Sequence, residues 1–167
     1  MPIASAEAAA KLWISERLGP AVGGVPASPA ASPPAIDRFL AALPRAQRQR
    51  VADIVGRIVV DTEHRPGPLE QDVAEPIFRE VIGAFVAQRP LMVSYRRADG
   101  SVRSRRIEPH AILIRPPLWY VLSWDPAAKA ARSFRLDRFE GAVPMLGRIE
   151  VRAPSALSAE LEGIRLR

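Results

Sequence analysis

Arginine and flat rings gather in one stretch of this 167-residue chain. Between Arg89 and Arg138 stand eleven of the twenty-four Lys and Arg residues and four of the eighteen acids, a formal +7 (11 − 4), while the other 117 residues sum to −1. The same stretch holds Tyr95, Trp119, Tyr120, Trp124 and Phe134, half of the ten aromatics. Guanidinium groups among rings serve anion recognition, with a base or other planar group stacked beside the charge. All but Lys11 and Lys129 of the basic residues are Arg. That bias fits forked contacts to phosphate or carboxylate, and a GC-rich genome produces it equally.

Spacing decides which of these side chains can meet. On a strand Arg103 and Arg105 share parity with Ile107, making one face cationic near a turn and apolar further on. The other reading is a solvated face that discourages edge pairing. Arg132, Arg135 and Arg138 fall at intervals of three, so a regular strand turns Arg135 away from the other two. A bulge or corner would reunite them; otherwise they make surface ion pairs with Asp137 or Glu140. Trp119 and Tyr120 point to opposite faces, one to the core and one outward. Tyr120, whose hydroxyl can bond a phosphate or base edge, is expected outward and Trp119 inside. Tyr95 shares a stripe with Leu91 and Val93 and reads as structural, with ligand contact as its second role. His110, at a strand start after Pro109, would donate to an anion, more strongly when protonated.

Other chemistries find little support. The chain has no Cys, which excludes disulfides and thiolate sites. A Gly-rich phosphate loop, a paired-His motif and a Gly-x-Ser-x-Gly elbow are all missing. Glu108 and Asp137 each neighbour an Arg, which argues for ion pairs ahead of acid-base work. The expectation is no enzyme, no metal and no cofactor. Lacking an apolar run of membrane-spanning length or a signal peptide, the chain is expected to be cytoplasmic.

The elements that position these residues follow from period and breakers. Residues 1–19 form a helix closed by Gly19-Pro20, and 20–35, with five prolines and two glycines, form a linker. Ile36, Phe39, Leu40, Leu43, Val51, Ile54, Val55, Ile58 and Val59 recur at helical spacing with Pro44 as a break, giving a helical stalk over 36–71. Asp72 to Gln88 is a further amphipathic helix with Val73, Ile77, Val81, Ala84 and Phe85 on one stripe. The period then becomes two. Leu91 to Arg96, the Asp99-Gly100 turn and Val102 to Ile107 make a hairpin. Further strands are predicted at Ala111 to Arg115, Leu118 to Trp124, Arg132 to Leu136 and Val143 to Val151, with a short helix after Pro154. The fold class is α+β: N-terminal helices, then a small antiparallel barrel or strongly curled sheet.

In order, the Tyr95-Arg96 strand, the Asp-Gly turn, Arg105-Arg-Ile-Glu-Pro109, His110, Trp119-Tyr120-Val121 and Arg132-Ser-Phe-Arg-Leu-Asp-Arg138 resemble the WYL-domain family, with Val121 in place of the Leu of the triplet. The match runs from about Asp72 to Phe139, the domain being placed at 72–141 and a remnant strand and helix at 142–167. The resemblance implies an SH3-like or Sm-like β-barrel in a bacterial transcription regulator, whose basic groove senses a nucleotide or single-stranded nucleic acid. It implies ligand contacts from Arg105, His110, Tyr120, Arg132, Arg135 and Arg138, with Tyr95, Arg103 and Trp119 as second-rank candidates. Family members usually carry a helix-turn-helix before the domain and an extension after it. Here neither is evident, which argues against operator binding by this chain alone. The alternatives are a ligand-free assembly module, pairing with itself or a partner regulator subunit, and a truncated regulator.

Overall fold

A computed structural model describes residues 41–61, 67–152 and 157. The expected first helix, the Pro-rich linker, the start of the stalk and the helix after Pro154 lie outside the described residues, Leu157 excepted.

Residues 41 and 42 are helical, and Pro44 interrupts before α1 (Arg45–Val55). The carbonyl of Pro44 accepts the Gln47 and Arg48 N–H groups at 2.9 and 3.0 Å. α1 ends at Gly56. The periodicity predicted helix through Ile58 and Val59; instead Ile58–Val60 is a strand, β1, parallel to residues Ile112 to Ile114. Three consecutive β-branched residues after a glycine lose little by leaving the helix and gain a sheet partner. The supposed stalk is therefore built into the sheet.

Helix α2 (Glu75–Ala87) carries Pro76 in its first turn and ends with Gln88 at φ 55°. The N–H of Arg89 reaches the Ala84 carbonyl at 2.9 Å and that of Gln88 the Phe85 carbonyl at 3.3 Å, the paired closure of a left-handed C-terminus with Gln in the place glycine usually takes. The helix starts at Glu75, three residues later than expected, so Val73 precedes it. Val81, Ala84 and Phe85 of the expected stripe are buried, and Ile77 packs at the margin, as does Val73 ahead of the helix.

The strands are β2 (Leu91–Arg96), β3 (Val102–Arg115), β4 (Leu118–Asp125), β5 (Ala130–Arg135) and β6 (Phe139–Pro144), in the spatial order β5-β4-β3-β2-β6 with β1 on β3. The Asp99-Gly100 hairpin forms with Leu91 opposite Ile107 and Arg96 opposite Val102. β3 is one 14-residue strand where two short ones were expected. Its ladder with β4 shifts between Pro109 and Ala111, leaving His110 as the extra residue of a bulge, and a bulge bends a strand. The bend lets one strand pair β2 with its first half and β4 and β1 with its second. The final strand starts at Phe139, earlier than the predicted Val143, because Phe139 and Ala142 face the core.

β5 and β6 are opposite edges of that order, yet only Leu136–Arg138, a 3₁₀ turn, separates them. Three 3₁₀ residues advance about 6 Å, so the two edges must lie close and the sheet must curl. Rings confirm it: Tyr95 of β2 meets Phe134 of β5 and Phe139 of β6 edge-on, at centroid distances of 5.1 and 5.4 Å. The fold is α+β with a strongly curled sheet, one of the two expected forms, and among the described residues no ladder joins β5 to β6 to close it into a barrel.

Inside the curl, Val81, Ala84 and Phe85 meet Leu91, Val93, Ile107, Ile112, Ile114, Trp119, Val121, Phe134, Leu136 and Phe139. On the other face Ala111, Leu113 and Leu122 pack with Leu157. Both faces of late β3 are thus covered, which explains its unbroken apolar run from Ala111 to Ile114.

Candidate anion-binding site

The inward face of the sheet continues past the apolar core into charge. Asp125 closes β4 and is 1% exposed. Its Oδ1 accepts the N–H groups of Ala127 and Ala128 at 3.0 and 3.1 Å, as an Asp opening a turn does. Its Oδ2 accepts Nη1 of Arg105 at 2.9 Å and has Nε of Arg132 at 3.5 Å. A strand-end carboxylate fixed by two backbone donors thereby gathers guanidiniums from β3 and β5. Arg103, two residues before Arg105 and on the same face, stands opposite Tyr95, exposed and without an ion pair among the described residues. Three guanidiniums against one carboxylate leave a formal +2.

Arg135 and Arg138 meet elsewhere. In a 3₁₀ turn residues three apart stack over one another, and the turn at 136–138 reunites the two arginines that strand parity would separate. Arg132 does not join them. Asp137, 1% exposed, accepts Nε of Arg135 at 3.0 Å, Nη2 of Arg135 at 2.6 Å and the Glu70 N–H at 2.8 Å. Burial works to raise the Asp137 carboxyl's pKa, but these donors and the charges of Arg135 and Arg138 outweigh it and hold it below its ordinary value. Glu70 Oε1 accepts Nε of Arg138 at 2.8 Å as well as its Nη2, and lies 3.7 Å from Nη1 of Arg135. Two arginines and two acids leave this corner formally neutral.

The rings divide as parity requires. Trp119 is 5% exposed and meets Phe78 edge-on at 5.3 Å between centroids, so it is a core residue and presents no face to solvent. Tyr120, half-buried, sits opposite Arg135 in the β4–β5 register and flanks the second apolar cluster. Tyr95 is a core ring whose hydroxyl oxygen accepts the Arg135 N–H at 3.2 Å. His110 departs most from expectation. It is wholly buried, its Nδ1 accepts the Arg152 N–H at 3.2 Å, and burial together with Arg152 and Arg57 lowers its pKa to about 4. Neutral at pH 7 and out of solvent, it does not offer an anion the protonated donor that was expected. Glu70 carried no signal in the sequence, standing just after Pro66-Gly67-Pro68 in a stretch without periodicity. Asp125, by contrast, had a usable signal in the Asp-Pro pair that opens a turn.

Among the described residues no group of three or more His, Cys, Asp or Glu is placed to hold a metal ion, and no helix is long and apolar enough to cross a membrane. The family model described as "WYL domain" matches residues 76–144. This segment is a WYL domain. It contains every side chain of both arginine clusters except Glu70, which precedes it. No curated protein matches the chain. Among solved structures, proteasome accessory factor B/C (PafBC) of Arthrobacter aurescens is similar to it at 22% identity and a TM-score of 0.43, covering 87% of this chain and 21% of that one. The chain thus spans about a fifth of that protein's length.

Proposed function

We propose that the WYL domain binds a phosphate-bearing ligand, a nucleotide or a short single strand of nucleic acid, as the sensing part of a bacterial transcriptional regulator, without catalysis. The observation that carries this reading is the rim of Arg103, Arg105 and Arg132. Two of its guanidiniums, from separate strands, are fixed in advance on the buried Asp125, and the rim keeps a net positive charge. Fixing them beforehand lowers the entropy lost when a phosphate is bound.

Fluorescence polarisation with a labelled oligothymidylate tests it. Arg103→Ala and Arg132→Ala remove exposed side chains and should leave the fold intact. Each should weaken binding and reduce the slope of log affinity against log salt by about 0.7. An unchanged slope in both variants refutes the reading.

A second reading, assembly with another copy of this chain, is favoured by one feature. Met92 and Val143 face each other across β2 and β6 while 39% and 64% exposed. Light scattering separates the two: an assembly module is a dimer whether or not the oligothymidylate is present.

A further inference from the structure

We propose that the Arg135–Arg138 corner is a second anion site, which the chain itself occupies with Glu70, and that a phosphate or carboxylate group of a ligand binds there by displacing that side chain. The inference rests on the anion-binding reading and extends it to a self-blocked subsite.

The two acids of the corner differ in kind. Asp137 is buried under Arg135, is fixed on the 3₁₀ turn, and orients the guanidinium through two bonds. Glu70 comes from the irregular segment ahead of α2, 68 residues away in sequence from Arg138. Its side chain is 34% exposed, against 1% for Asp137. It contributes one oxygen, Oε1, to both arginines, as an incoming phosphate oxygen would. Two further ties hold the segment: the Glu70 N–H on Asp137 at 2.8 Å and Nη2 of Arg135 on the Pro68 carbonyl at 3.2 Å. If Glu70 leaves, Arg135 and Arg138 face a single remaining carboxylate and the corner gains a positive charge. Tyr95 and Tyr120 border it, Tyr95 through its hydroxyl bond to the Arg135 N–H and Tyr120 as the cross-strand neighbour of Arg135. A ligand that displaces the Glu70 side chain leaves residues 68–72 held only by their backbone bonds to Asp137 and Arg135, so occupation of the corner loosens the segment that leads into α2.

The experiment compares the full chain with Glu70→Gln, Arg138→Ala and the double variant, using the same labelled oligothymidylate. Glu75→Gln serves as a control because it removes one acid, paired with Arg79 on the solvent side of α2. Glu70→Gln should bind about tenfold more tightly, a gain of the size usual for coupled sites. Glu75→Gln should show no such gain, and the gain should vanish when Arg138 is Ala. Hydrogen exchange should show the amides of 68–72 opening faster when the oligonucleotide binds the wild-type chain. Binding by Glu70→Gln alone supports the inference as a fully blocked site. Equal gains from Glu70→Gln and Glu75→Gln, or none from Glu70→Gln while Arg103→Ala still flattens the salt slope, overturn this inference and leave the first site standing. Failure of every variant to bind overturns both.

Discussion

Lowering the pH from 7 to 4 should cost the fold roughly 3 kcal/mol through one side chain, His110, whose pKa is lowered from 6.5 to about 4. Burial is the first cause, and Arg152 and Arg57 add like charge. Nδ1 is the acceptor for the Arg152 N–H, so protonation also removes a bond that holds the C-terminal segment to the bulge. Between the two pKa values the unfolded chain binds a proton that the folded chain refuses. The contribution is therefore complete above pH 6.5, declines as pH falls toward 4, and changes no further below that. Asp137 acts in a separate window. Its folded pKa lies below the ordinary 3.8, so the stability it contributes is present above that value and is lost as pH falls through the lower folded value. Urea unfolding from pH 4 to 8 checks the expectation. His110→Gln keeps an acceptor for the Arg152 N–H without titrating, and should flatten the profile between pH 4 and 6.5. Identical profiles for the variant and the wild type in that range would show the histidine has no part in it.

What the sequence made legible was local. The Asp99-Gly100 hairpin needs only six alternating residues on one side and a turn that twists with the strands. The α2 stripe likewise lies within four turns. The order of residues from Tyr95 to Arg138 was enough to place the WYL segment, because those residues are consecutive parts of one meander. What escaped was set by contacts distant in sequence. Ile58 and Val59 fit a helical period, and only their partners Ile112 and Leu113, 54 residues on, turn them into a strand. His110 looked like an accessible donor because nothing local reveals that Arg57 and the segment at Arg152 close over it. The grouping of the arginines was legible only in part, for a similar reason. Strand parity separates Arg132 from Arg135 correctly, but the 3₁₀ turn that reunites Arg135 with Arg138 has no signature in Leu-Asp-Arg. The carboxylates that collect these arginines, Asp125 and Glu70, lie on other elements.

Asp125→Ala should destabilise the domain by about 3 kcal/mol, the lower end of the cost of removing one partner from a buried ion pair. The carboxylate is 1% exposed and holds four groups: the N–H groups of Ala127 and Ala128, and the guanidiniums of Arg105 and Arg132. Its loss strands the backbone donors of the β4–β5 turn and leaves two cations facing each other. The arginines share the effect unequally. Arg105 is 30% exposed at a 2.9 Å contact, whereas Arg132 is 50% exposed at 3.5 Å. Arg132→Ala should therefore cost less than about 1 kcal/mol, as exposed pairs do. Asp125→Asn separates the two tasks of the carboxylate. The amide oxygen can still serve the turn, but the NH₂ group that replaces Oδ2 has no lone pair for Arg105. Recovery of about half the loss would divide the energy between turn and ion pair, and a double-mutant cycle of Arg105→Ala with Asp125→Ala measures the second share directly. If Asp125→Ala unfolds at the wild-type urea midpoint, the carboxylate does not anchor the rim. The arginines of β3 and β5 would then be mobile cations, and the pre-positioned anion site would lose its physical basis.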